Sequence, residues 1–118
     1  MDFAKTYYNT RGYRSNLLYV GYWIAQDRQA LLSYSWDGNV MTIDPVSTGN
    51  SGWKDFLTDY NTFCMERDGK PLFNQTFGLT RAIVVHAFGE RLQTMREACH
   101  QFDPQGRLMN DYFRSLLT

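Results

Sequence analysis

The chain has 118 residues, the length of one domain. Twelve basic and twelve acidic side chains cancel, so there is no basic footprint for nucleic acid or for an anionic membrane surface. Apolar residues are 43%, enough for a core, and aromatics at 16% are many for one small core, so they read either as an aromatic-rich core or as side chains that face a ligand, a cofactor or another segment.

In chain order, residues 1–16 read as an irregular, polar and aromatic lead-in, with a short helix around Phe3–Tyr8. This opening, MDFAKTYYNTRGYR, lacks the apolar centre of a secretory signal, and a cytoplasmic chain is expected. No apolar run approaches the roughly 20 residues of a membrane span. Leu17–Ile24 (LLYVGYWI) is rich in β-branched and aromatic residues and predicts a strand. Ala30–Trp36 (ALLSYSW) alternates with a period of two and predicts a second strand. Asp37-Gly38 then signals a tight hairpin turn into a third strand, Asn39–Ile43, which Pro45 ends.

From residue 50 the period changes. Trp53, Phe56, Leu57, Tyr60 and Cys64 form a helical stripe, with Asn50 or Ser51 as N-cap and Gly69 as its closing residue. Pro71–Phe73 fits a short strand. Thr80 caps a helical turn over Arg81–His86. Phe88, Leu92, Met95 and Cys99 mark another helix, Asp103-Pro104-Gln105-Gly106 a type I turn, and Asn110 the cap of Asp111–Leu117. Cys64 and Cys99 lie on apolar helix faces and are expected as free thiols. The expected architecture is α+β, a single domain over residues 1–118. It has a small antiparallel sheet of two or three strands, followed by three or four helices. Such a sheet leaves edges that must be covered or paired.

The motifs for phosphate cradling, zinc and a nucleophile elbow are missing from the sequence, and His86 and His100 are too far apart for a helical metal pair; no metal site is expected. Two stretches ask for more than a structural explanation. In Lys70–Thr80 (KPLFNQTFGLT), Asn74, Gln75 and Thr76 sit between Phe73 and Phe77. Amides framed by aromatics suit a ligand-orienting wall, although residue type alone favours a buried turn whose amides satisfy the backbone. In Phe102–Leu117 (FDPQGRLMNDYFRSLL), Tyr112 and Phe113 are neighbours about 100° apart on a helix, so one helix face cannot hold both centrally.

This second stretch resembles the C-terminal ending of FAD-linked oxidases of the vanillyl-alcohol oxidase type. With GKPLFNQTFGLT upstream, it is most similar to the type II, covalent-flavin cholesterol oxidases. The resemblance covers roughly residues 53–118, and residues 17–43 match more loosely the end of a substrate-domain sheet. It departs from the aldonolactone and alditol oxidases. Those carry a lysine about where this chain has Leu72-Phe73-Asn74-Gln75.

The resemblance implies that Asn74 is the catalytic residue, facing the flavin ring and the substrate hydroxyl. By the same comparison Phe73, Gln75 and Thr76 bind substrate, and Asn110 and Tyr112 brace the flavin. It implies oxidation of a small-molecule alcohol with FAD as cofactor. Nothing in the chain resembles the family's FAD-binding domain. The implied partner is therefore such a domain, on a parent or companion chain, without which these residues would be inactive. The alternative from the residues alone is a self-sufficient binding module, homodimeric through its sheet and aromatic surface.

Overall fold

The computed structural model describes residues 2–118. Helix α1, Asp2–Arg11, has an acidic residue in its first turn and a basic one in its last, matching the helix dipole. It stops at Gly12, whose φ of 72° is costly for residues with a Cβ, and the Gly12 N–H returns to the Tyr8 carbonyl at 2.8 Å.

Strands β1 (Tyr19–Ile24) and β2 (Val40–Pro45) form one antiparallel ribbon, with Tyr19 opposite Pro45 and Ile24 opposite Val40. The ladder continues from the Val46 N–H to the Leu18 carbonyl at 3.2 Å. In an antiparallel pair every second residue bonds across. Even-numbered residues of β1 therefore face β2, and Tyr19, Gly21 and Trp23 turn their backbone groups outward. Pro45, without an N–H, falls on an outward position of β2, the one place it is harmless.

The middle strand expected at Ala30–Trp36 does not form, and Asp37-Gly38 does not close a two-residue hairpin. Segment 25–39 is a folded loop instead. Ser33 and Ser35 are buried and bond each other and their own backbone. The Asp27 N–H reaches Ser35, and the Gln29 N–H reaches the Asp27 carboxylate at 2.8 Å. Serine and aspartate side chains offer the backbone local partners that compete with a ladder. Arg91 completes the loop by donating to the Leu31 and Ser33 carbonyls at 2.9 and 3.0 Å.

Helix α2 spans Trp53–Met65 and buries Phe56 along the expected stripe. Its N-cap is Gly52 at φ 90°, not Asn50 or Ser51. The Asn50 side chain is taken by the Tyr13 and Ser47 hydroxyls at 2.9 and 2.6 Å. At the other end Asp68, not Gly69, takes the positive φ of 57°. Gly69 is needed for another reason: a Cβ there would stand 2.8 Å from the Cys64 carbonyl. The expected strand at Pro71–Phe73 is replaced by a turn, Thr76 N–H to Leu72 carbonyl at 2.9 Å.

Three helices complete the chain: α3 (Arg81–Phe88), α4 (Glu90–Phe102) and α5 (Asp111–Leu117). Thr80 and Asn110 cap α3 and α5 through their side chains, as their positions predict. The chain is thus α+β: among the described residues, a two-stranded antiparallel sheet has one helix before it and four after it.

The apolar interior divides into two clusters. One joins Tyr7, Tyr13 and Phe56, with Phe3, Trp53, Tyr60 and Tyr19 against them. The other joins Val84, Ala87, Phe88, Leu92, Leu116 and Leu117. The molecule measures 49 × 30 × 22 Å, with a radius of gyration of 16.0 Å against about 13.5 Å for a compact domain of this length. Its accessible surface is 8173 Å², where roughly 6,600 Å² is normal for this mass.

Candidate functional site

The turn Leu72–Thr76 is held from within and from both flanks. The Leu72 N–H donates to the Thr76 hydroxyl at 3.0 Å, so Thr76 is committed to the turn itself. On one flank the Asn61 amide donates to the Phe77 carbonyl at 2.7 Å. On the other, the Tyr112 hydroxyl donates to the Phe73 carbonyl at 2.5 Å. The Phe73 ring stacks on Phe88 at 5.4 Å and on Phe113 at 6.1 Å, while Tyr112 meets Phe113 edge-on at 5.3 Å.

Here the sequence puzzle of Tyr112 and Phe113 resolves. Neither residue belongs to the buried face of α5, which is made by Leu116 and Leu117. Both turn toward Phe73, one with its hydroxyl and one with its ring. The two stretches singled out in the sequence therefore meet, although 39 positions separate Phe73 from Tyr112.

The turn's tip carries Asn74 and Gln75, both exposed. Among the described residues neither amide side chain makes a hydrogen bond within the chain. Phe77, half exposed, lies beside them. Asn110 is engaged as a helix cap: its amide oxygen accepts from the Phe113 N–H at 2.9 Å. Partial burial raises the Tyr112 phenol above its ordinary value.

The side chains of the turn offer hydrogen-bonding amides and no acid or base of their own. Two free amides can donate to and accept from a polar edge, and the flanking aromatics give that edge an apolar frame. No carboxylate or imidazole shares the turn. Among the described residues no group of three or more His, Cys, Asp or Glu could hold a metal ion.

The donor set also limits what cofactor would fit. Asn74 and Gln75 suit the carbonyl and imide edge of a flavin ring, approached from one side. No element of the turn could cradle a pyrophosphate, so these residues fit part of the ring system and not the whole dinucleotide.

One feature was not anticipated from the sequence. An open groove of about 630 Å³ runs between the end of α1 and the approach to α2. Its walls include Tyr8, Arg14, Asn16, Asn50 and Ser51. These residues lie in two irregular segments with no shared periodicity, and only the fold brings them together. No family model matches the chain, and no curated protein or solved structure shows significant similarity to it.

Proposed function

We propose that this chain is the substrate-side segment of an FAD-dependent alcohol oxidase, sterol oxidase-like in type, which completes its site against a separate FAD-binding domain. The observation that carries this reading is the docking of Tyr112 and Phe113 on Phe73. It sets the exposed amides of Asn74 and Gln75 on a braced platform facing outward, with no partner among the described residues. The surplus of exposed surface supports the same reading, because a segment shaped to meet a neighbour keeps that surface open when alone.

In this assignment Asn74 orients the substrate hydroxyl by hydrogen bonding, and Gln75 and Phe73 shape the wall beside it. Thr76 holds the turn. Tyr112 and Asn110 act one step back, through the carbonyl of Phe73 and the start of α5, by keeping the platform in place. FAD, held by the parent or companion chain, would supply the hydride acceptor. Once covered by the companion domain, the apolar frame would favour an alcohol on an apolar skeleton. The unpaired Cys64 and Cys99 suit the reducing cytoplasm, where we place the chain.

The test is reconstitution. The purified chain should bind no flavin by itself and should be required for the alcohol oxidase activity of a flavin-bearing companion. In that assembly Asn74→Ala should lower kcat/KM about tenfold, some 1.4 kcal/mol of transition-state stabilisation, without loss of bound FAD. An unchanged kcat/KM would remove Asn74 from the site, and activity independent of the chain would end the reading.

A further inference from the structure

The two edges of the ribbon are not alike. The outer edge of β2 is partly covered, with only Met41 and the Ile43 N–H left outward among the described residues. Pro45 has no N–H to offer, and the outward carbonyl of Ile43 accepts the Tyr60 hydroxyl at 2.9 Å. The outer edge of β1 is open. The outward-facing groups of Tyr19, Gly21 and Trp23 meet no other element among the described residues, since the one sheet has two strands and α2 lies at the β2 side. Proteins normally blunt such an edge with a charge, a proline or a cover. β1, Tyr-Val-Gly-Tyr-Trp-Ile, has no charge and no proline, and Tyr22 and Trp23 are 56% and 67% exposed.

We infer that the open edge of β1 pairs antiparallel with β1 of a second copy, forming a continuous four-stranded sheet ordered β2-β1-β1-β2. The strand is self-complementary in this register. With the two-fold axis at Gly21, the outward groups of Gly21 meet those of the other Gly21. Tyr19 then lies opposite Trp23 of the second copy, and Trp23 opposite its Tyr19. Both aromatic pairs flank a glycine that adds no bulk, a combination that supports strand pairing. A two-fold contact uses the same patch on both copies and closes on itself. The zero net charge gives no long-range repulsion between copies.

Pro45 and the Tyr60 hydroxyl on the Ile43 carbonyl interrupt the outer edge of β2, which favours two copies over an extended sheet. The inference does not rest on the oxidase reading, since β1 and the Asn74 turn share no contact used here.

Light scattering on the purified chain should give twice the monomer mass of 13.8 kDa. In the unaltered chain, hydrogen exchange should show slow amides at Tyr19, Gly21 and Trp23, positions that face solvent in a lone ribbon. Trp23→Lys places a charge on the open edge through a side chain that is already exposed. It should return the mass to that of a monomer and restore fast exchange at those three amides. A monomeric unaltered chain, a dimer in which those amides exchange freely, or a series of higher oligomers would each overturn the inference.

Discussion

Tyr60 shows how one side chain joins separate elements. Its ring stacks on Phe56 at 6.0 Å and on Phe63 at 6.3 Å, and its hydroxyl ties α2 to the Ile43 carbonyl of β2. Burial, with smaller contributions from the neighbouring Cys64 and Asp44, raises its phenol well above the ordinary tyrosine value. Tyr7 and Tyr19, in the same cluster, are also raised, chiefly by burial. The folded state therefore holds these protons more tightly than the unfolded chain. That contribution is complete below the unfolded value near pH 10 and is lost as pH rises beyond it. Urea midpoints should stay level through neutral pH and fall above about pH 10. Tyr60→Phe should cost about 1 kcal/mol at neutral pH and make that alkaline fall shallower. A variant with the same alkaline slope as the parent would show that Tyr60 is not a source of it. At this scale much was legible. Thr80 and Asn110 were readable as caps because a cap needs only its own residue and the next three. Asn50 was not, because Tyr13, 37 positions away, takes its amide oxygen.

Segment 25–39 carries the element-scale lesson. Alternation in Ala30–Trp36 is compatible with a strand, and the structure makes it a loop because its serines find local partners and Arg91 supplies the rest. The Arg91 guanidinium also lies 4.9 Å from the Trp36 ring and 5.4 Å from the Phe88 ring. One side chain of α4 thus fastens the loop to the second cluster. Arg91→Met keeps the apolar stem but removes both hydrogen bonds, and about 1–3 kcal/mol should be lost. The loss should be local: amides and protease sites within residues 27–36 open, while helix content by circular dichroism is unchanged. Equal protection of the loop in both proteins would refute the fastening role. The hairpin expected at Asp37-Gly38 was wrong for the same reason, since its first strand never formed. The helices were legible because their stripes repeat over two or more turns, whereas a distant arginine leaves no pattern in the strand-like stretch it holds.

On the scale of the whole molecule, the interior is two clusters and not one. α1, α2 and the base of the ribbon share the aromatic cluster around Phe56, which is fully buried. α3, α4 and α5 share the aliphatic cluster around Leu92 and Leu116. Phe56→Ala should cost about 3–5 kcal/mol and Leu92→Ala about 2–5 kcal/mol. Each should lower hydrogen-exchange protection mainly in its own cluster, as expected of separate cooperative units. Equal loss across both clusters from either variant would show that they unfold as one. The sequence by itself determined the helices after residue 50, the α+β class, two of the caps and the unusual pairing of Tyr112 with Phe113, because these depend on neighbours within a few residues, whereas α1 runs well beyond the short Phe3–Tyr8 helix expected. The tertiary structure alone decided that β1 pairs with β2, and that Tyr112 and Phe113 turn to Phe73. It alone decided that Thr76 serves the turn, and that one sheet edge is partly covered and the other open. Those outcomes depend on which surfaces remain unsatisfied after the local elements form, and hydrogen-bond and apolar partners are then found by distance in space, not in the chain.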